Sequence, residues 1–348
     1  MNRRHHSPVS AVQKLLQPLT SFQHSVLLAT AGTLCALLVM KIAQRLNGAT
    51  RHGTAQNQDE TMRGKTVIVT GANAGIGFAT AMELAAKGAR VILACRSPCR
   101  GQGAAKAIRE LTGNKEVICK TVDMGCMHSV KAFATEILST EPRLDVLINN
   151  AAVTGPNDRR LTEENLEVTF ATNYMGPFLL TNLLSDLLQL SAPSRVVNVT
   201  SSMYTMGKIT LNDLNSANGY PGAEATYSKS KLALNLFTVE LARRLKGSGV
   251  TCNALHPGVV ATQFNRKEHD LRHFLWNVFL QAFGKSPRDG ARTSLQLATA
   301  AQLEDVTGKY FVSNGEAPWS STVLDEDLAG SLWKKSEDIV HNVLGTPM

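Results

Sequence analysis

Lys65-Thr66-Val67-Ile68-Val69-Thr70-Gly71-Ala72-Asn73-Ala74-Gly75-Ile76-Gly77 is the stretch whose reading decides the fold. Its first half is a short β-branched run, the composition of a strand covered on both faces. Its second half places three glycines in a turn, and a helical stretch follows as far as Lys87-Gly88. A glycine-rich turn between strand and helix is suited to a pyrophosphate. Glycine removes the side chains that would hold the backbone away, and the helix N-terminus offers free N–H groups. The spacing is Gly71-x3-Gly75-x-Gly77 and not GxGxxG, so the turn alone is a modest signal.

Outward from this turn, strands and helices alternate. Strands are expected at 90–94, 116–122, 144–148, 195–200 and 250–255, with helices reaching 111, around 130–138 and over 179–188. The strand runs are mostly continuously apolar, which indicates a parallel sheet covered on both faces. The expected fold is α/β: a single doubly wound Rossmann-type domain over 64–345, whose end (309–313 and a helix around 328–340) completes and covers the sheet.

The end of the second strand reads Ala94-Cys95-Arg96-Ser97, and the chain has no acid between Glu83 and Glu110. A site for NAD usually carries a carboxylate there for the ribose 2′-hydroxyl. Arg96, with Arg100 one turn on, suits a 2′-phosphate instead. NADP is therefore preferred over NAD; the plain alternative is that Arg96 only solvates the strand end.

Tyr227-Ser228-Lys229-Ser230-Lys231 follows a loop rich in Gly and Pro and opens an apolar helical run. Four residues apart on a helix, Tyr227 and Lys231 share a face. A phenol has a pKa of about 10 and is a poor acid or base at neutral pH, but a neighbouring cation lowers it. The pair is a candidate proton donor to a carbonyl oxygen, although Tyr and Lys at this spacing are also common on ordinary helices.

Taken in order, Thr70-Gly71-x3-Gly75-x-Gly77, Asp123, Asn149-Asn150-Ala151, Asn173-x2-Gly176, Ser201, Tyr227-x3-Lys231 and Pro257-Gly258 with Thr262 resemble the classical short-chain dehydrogenase/reductase family. Leu93-Ala94-Cys95-Arg96, Leu144 to Asn150, Tyr227 to Lys231 and His256-Pro257-Gly258 are most similar to its membrane-anchored retinol dehydrogenase branch. The resemblance implies that Tyr227 transfers the proton. Lys231 would lower its pKa and hold the nicotinamide ribose, Ser201 would bond the substrate oxygen, and Asn173 would hold a relay water. It implies that Gly71, Asn73, Gly75, Ile76 and Gly77 cradle the cofactor, with Arg96 at its 2′-phosphate. Asp123 would face the adenine, Asn149 and Ala151 the adjoining ribose, and Pro257, Gly258 and Thr262 the nicotinamide. A one-residue slip would choose Ser202 over Ser201. Ala152 stands where the family has Gly, tolerable if its φ is negative. The sequon Asn198-Val199-Thr200 falls in an expected buried strand and is taken as chance.

The expected activity is interconversion of an alcohol and its aldehyde or ketone, retinol and retinal first, in the reductive direction with NADPH. The alternatives are a steroid or lipid-aldehyde reductase and a non-catalytic membrane-tethered NADP-binding scaffold. An aromatic-rich stretch, 259–285, follows the last cofactor contacts and suits a lid over a small apolar substrate. A homodimer is a family expectation.

The net charge of +8 is unevenly placed: residues 1–58 hold six Lys/Arg and no acid. The surplus points to membrane or targeting, not to nucleic acid. Residues 1–24 form a basic segment, 25–43 an apolar stretch of about 18 residues, just enough for one membrane span, and 44–63 a linker. Lys41, Arg45 and Arg51 lie close to the span downstream and only Lys14 is near it upstream, a weak bias that puts the large domain in the cytosol. The endoplasmic reticulum membrane is expected; the acid-free, Arg-bearing N-terminus keeps a mitochondrial membrane as the alternative. The six cysteines form no CxxC pair, which suggests free thiols in a reducing compartment and no metal site.

Overall fold

The computed structural model describes residues 61–260 and 284–345. The expected membrane segment 25–43, nearly all of the expected linker, Thr262 and most of the expected lid 259–285 lie outside the described residues. No helix among the described residues is long and apolar enough to cross a membrane.

The strands form one eight-stranded sheet in the order β3-β2-β1-β4-β5-β6-β7-β8. They are β1 Thr66–Thr70, β2 Arg90–Cys95, β3 Val117–Thr121, β4 Val146–Asn149, β5 Ser194–Val199, β6 Val250–His256, β7 Tyr310–Val312 and β8 Gly315–Ala317. All neighbours are parallel except the final pair, β7 and β8. Between them run α1 Gly75–Ala86, α2 Pro98–Thr112, α3 Met127–Thr140, α4 Gly176–Leu183, α5 Ser185–Leu190, α6 Ala223–Arg244 and α7 Pro287–Thr299, with α8 Glu326–Leu344 at the end.

Alternation along each strand divides the core. Val67 and Val69 face the layer of α1, α2 and α7, joined by Leu84, Ile108 and Leu297. Ile68 faces the other layer with Phe133, Phe178, Phe237 and Trp333. Both faces are dry, which is why the strands read as unbroken apolar runs.

Two expectations need correction. The single helix over 179–188 is two, α4 and α5, parted at Leu184 (φ −98°, ψ 5°). Helical structure also starts earlier, at Val168–Phe170, and passes through a π-helical turn, Ala171–Met175, before α4. Gly176 and Pro177 are accommodated at this junction. A Cβ on Gly176 would strike the Met124 carbonyl, and Pro177 sits in the first turn of α4, where a missing N–H costs little.

Strand order reverses between β1 and β4. Ligands of open α/β sheets bind outside the carboxyl ends of the strands at such a switch point.

Candidate active site

The β1–α1 turn is built against the end of β4. Gly71 has φ +67°, and a Cβ there would lie 2.9 Å from Ala151 Cα. A Cβ on Gly77 would meet Asn150 Nδ2 at 2.5 Å and the Gly71 carbonyl oxygen at 2.7 Å. Thr70 Oγ1 accepts the N–H groups of Asn150 and Ala151, both at 2.9 Å, and Asn150 Nδ2 donates back to the Thr70 carbonyl at 2.8 Å. These bonds fix the mouth of the switch point. Ala152 is not among the residues with positive φ, so its methyl is tolerated.

A dinucleotide fits this turn. The N-cap of α1, Ala74, provides no side-chain cap, and the first turn contains no acid. The leading N–H groups of a 12-residue helix therefore remain for an anion beside a glycine cradle. Asn73, Gly75 and Ile76 sit on this turn. At the end of β2, Arg96 and Arg100 are exposed. At the end of β3, Asp123 Oδ1 accepts the Gly125 N–H at 2.9 Å.

Asn149 is placed differently from expectation. Its side chain turns away from the crevice, 1% exposed, and donates to Thr181 Oγ1 (3.1 Å) and Asn198 Oδ1 (2.9 Å). Only its main chain is left for a ribose. Asn198 is equally buried and donates to Thr238 Oγ1, which removes it as a glycan acceptor.

Ser201, Tyr227, Lys231 and Asn173 converge beyond the end of β5. Ser201 caps the short 3-10 turn Ser202–Met206 by accepting the Met203 N–H (3.2 Å), and its hydroxyl acts to lower the Tyr227 pKa. Ser202 is exposed, so the register question falls to Ser201. Lys231 is 2% exposed, with Nζ 5.6 Å from the Tyr227 ring centroid and donating to the Val199 carbonyl at 2.9 Å.

The Tyr227 pKa moves opposite to the expected fall. Burial pushes the phenol up to about 12 against the pull of Ser201, and burial lowers Lys231 to about 7. Desolvation penalises both charged forms.

Asn173 lies in the π-helical turn, a feature frequent at functional sites. Its Oδ1 accepts the Val153 N–H (2.8 Å), and its Nδ2 donates to the Val153 carbonyl (2.9 Å) and Ser230 Oγ (3.0 Å). The side chain is thus engaged in fixing residues 151–153 against α6.

On the other flank, Pro257 and Gly258 follow β6. Lys285, which the sequence reading left unassigned within the lid, reaches over Gly258: a Cβ there would lie 3.0 Å from Lys285 Nζ. Lys285 N–H also donates to the Val259 carbonyl (2.8 Å), tying together the two ends of the lid segment. His256 Nδ1 is buried without a partner among the described residues, and burial followed by Lys285 holds its pKa down. Nothing in the local sequence flags Lys285, because the contact arises from two strands of chain about a lid's length apart.

The family model described as short chain dehydrogenase matches residues 65–272. The chain belongs to the short-chain dehydrogenase family. It is an oxidoreductase of a family that uses NAD or NADP. Retinol dehydrogenase 14 of Homo sapiens is 45% identical over 80% of this chain and 87% of that protein. Retinol dehydrogenase 13 of Mus musculus is 45% identical over 83% of this chain and 87% of its own length. Among solved structures, an uncharacterized protein from Mycobacterium paratuberculosis is 32% identical, with a TM-score of 0.65 over 80% of this chain and 94% of that one. A short chain dehydrogenase from Shigella flexneri, complexed with NADP, shares the fold at 24% identity and a TM-score of 0.59, covering 74% of this chain and all of its own.

Proposed function

We propose that this chain is an NADP-dependent oxidoreductase that interconverts a retinoid alcohol and its aldehyde, working mainly as a reductase. The observation that carries the reading is the grouping of Ser201, at the carboxyl end of β5, with the Tyr227 phenol whose pKa it pulls down and with buried Lys231, whose Nζ lies 5.6 Å from the Tyr227 ring centroid. When bound, the dinucleotide supplies the hydride.

The chain's own groups seat the oxygen and move the proton. The Ser201 and Tyr227 hydroxyls form a seat for a carbonyl oxygen, and Tyr227 gives its proton to that oxygen as negative charge develops there. A phenol pushed up to about 12 stays protonated at neutral pH, the form a reductase needs. Lys231, when charged, offsets the phenolate left behind. With the Asn173 side chain committed to Val153 and Ser230, a relay water would rest on main-chain carbonyls of the π-helical turn.

NADP is supported by Arg96 and Arg100 at the end of β2, where no carboxylate stands. A retinoid substrate is supported by the names of relatives 41–45% identical to this chain, most of them retinol dehydrogenases, and by the aromatic stretch 259–285. The reductive direction follows if the domain faces the cytosol, where NADPH is mostly reduced. That placement goes with anchoring by residues 25–43 in the endoplasmic reticulum membrane, or alternatively in a mitochondrial one.

The test is oxidation of NADPH or NADH by the full chain in detergent with all-trans-retinal. Turnover with NADPH that is abolished in Tyr227→Phe supports the reading. A preference for NADH overturns the role of Arg96. NADPH binding without turnover of retinal or of a panel of lipid carbonyls overturns the catalytic reading in favour of a scaffold.

A further inference from the structure

We propose that Cys126, His128 and Glu164 form a binding site for a single thiophilic divalent cation, zinc foremost. The three side chains offer one thiol, one imidazole nitrogen and one carboxylate oxygen, all within 4.8 Å of one another. Cys126 Sγ lies 3.4 Å from Glu164 Oε1, and His128 Nδ1 lies 2.8 Å from the same oxygen. Zinc holds sulfur at about 2.3 Å and nitrogen or oxygen at about 2.0–2.2 Å, so a tetrahedral site has donor-to-donor edges of roughly 3.3–3.6 Å. The sulfur–oxygen edge is already at that length, and the nitrogen–oxygen edge needs to open by about half an ångström as the ion replaces the shared proton.

Two features shape this donor set. Cys126 is the N-cap of α3, yet its side chain makes no capping bond. Ser, Thr, Asp or Asn is the ordinary choice there. Capping comes instead from Glu164, which accepts the Met127 N–H (2.8 Å) and the His128 N–H (3.0 Å) from another segment. The Glu164 carboxylate is itself only 7% exposed, and its one ion-pair partner among the described residues is His128, charged only when protonated. Hydrogen bonds from Met127, His128 and Cys126 offset its burial and hold its pKa below the ordinary value, so the carboxylate is charged and able to take a cation.

The positive end of the α3 dipole opposes a bare cation at this place. The donor set answers that. Binding releases the Cys126 thiol proton to solvent, and thiolate plus carboxylate neutralise a doubly charged ion. His128 is exposed on its outer side, which leaves a fourth position to water. The sequence conceals the site because Cys126-x-His128 has no second pair nearby, and the third donor comes from the loop before the π-helical turn.

The site borders the adenine flank of the crevice. The Cys126 N–H donates to the Asp123 carbonyl at 3.1 Å. A bound ion would therefore join the Asp123 turn to residues 162–166, where Thr162 and Leu166 are hydrogen-bonded.

The experiment is titration of the metal-free full chain in detergent with Co²⁺, read by absorption and needing no turnover. One equivalent should give a near-ultraviolet thiolate-to-cobalt band and visible bands of tetrahedral intensity, both removed by Zn²⁺. Cys126→Ser should lose the near-ultraviolet band while keeping its melting temperature, because Ser is a good N-cap. Glu164→Gln and His128→Ala should weaken binding at least 10-fold, and Cys99→Ser, at an exposed cysteine outside the cluster, should change nothing. Absence of the band, or its survival in Cys126→Ser, overturns the proposal.

Discussion

Lys231 donates its ε-amine to the carbonyl of Val199, the last residue of β5, at 2.9 Å, so the lysine expected to act on Tyr227 is also tied to the sheet. Its amine is buried and its pKa falls from 10.5 to about 7. Above about pH 7 the folded chain therefore holds fewer protons at this site than the unfolded chain. Stability must rise with pH over the window from about 7 to about 10, and the cost of burying the lysine is full below it. Lys231→Met removes that cost. In the unliganded protein it should melt higher than wild type at pH 7, by an amount on the order of a few kcal/mol, and the difference should shrink by pH 10. Thermal unfolding at the two pH values decides it. A gap that stays constant with pH would mean the lysine is not buried in the charged-averse setting seen here. Turnover should be lost at both.

Ser201 and Ser202 make an internal control. Ser201 pulls down the Tyr227 pKa and is nearly buried, whereas Ser202 is exposed. Removing a positioned proton donor or oxyanion partner costs about 10²–10⁴-fold in rate. Tyr227→Phe should show the larger loss and Ser201→Ala a loss of about 10²-fold, both with cofactor affinity retained. Ser202→Ala should stay near wild type. Steady-state kinetics with fluorescence titration of NADPH separates the effects; equal losses at the two serines would sink this assignment.

Arg96 carries the choice between the two dinucleotides. A charge-assisted hydrogen bond is worth about 1.5–3 kcal/mol, which is roughly 10- to 100-fold in affinity. Arg96→Ala should weaken NADPH by about that factor and leave NADH unchanged. Arg96→Asp should favour NADH outright. Equal weakening of both would show that Arg96 only supports the end of β2.

The fold was legible because its central strands are buried on both faces and its glycine turn is local. Val67 to Thr70 and Val196 to Val199 need no partner to be recognised. The division of the following helix at Leu184 was not legible, since residues 180–190 run on without a glycine or proline. Strand β8 was hidden too, because its turn from β7 rests on Ser313 and Asn314 in positive φ, a weak sequence signal. Site membership was readable, but direction was not. Spacing puts Lys231 on the face of Tyr227, while only three-dimensional structure shows that its amine points to Val199 and that Asn149 turns toward Thr181.

Asp145 ties the lower end of the switch point, and its titration should be visible in acid. Its carboxylate, 3% exposed, accepts the Thr66 N–H at 2.8 Å, Arg143 at 2.6 and 2.8 Å, and pairs with Lys65 at 3.0 Å. Burial opposes its charge, but Arg143, the Thr66 N–H and Lys65 outweigh it and hold the pKa below the ordinary carboxylate value. A depressed carboxylate contributes stability that is present above its unfolded pKa, about 3.9, and is lost as pH falls through the folded value. Asp145→Asn keeps the shape but gives up the charge, leaving β1 and β4 joined only by their ladder and by weaker amide contacts. The variant should lose about 2–4 kcal/mol at pH 7, discounted from a fully buried pair because Arg143 and Lys65 are partly exposed. The wild type should then lose its advantage as pH drops below about 4, so the two melting curves converge in acid. Differential scanning calorimetry across that range reads the convergence directly. Parallel curves would mean that the carboxylate titrates alike in the folded and unfolded chains, and that the three partners around Asp145 contribute shape but no net electrostatic stabilisation.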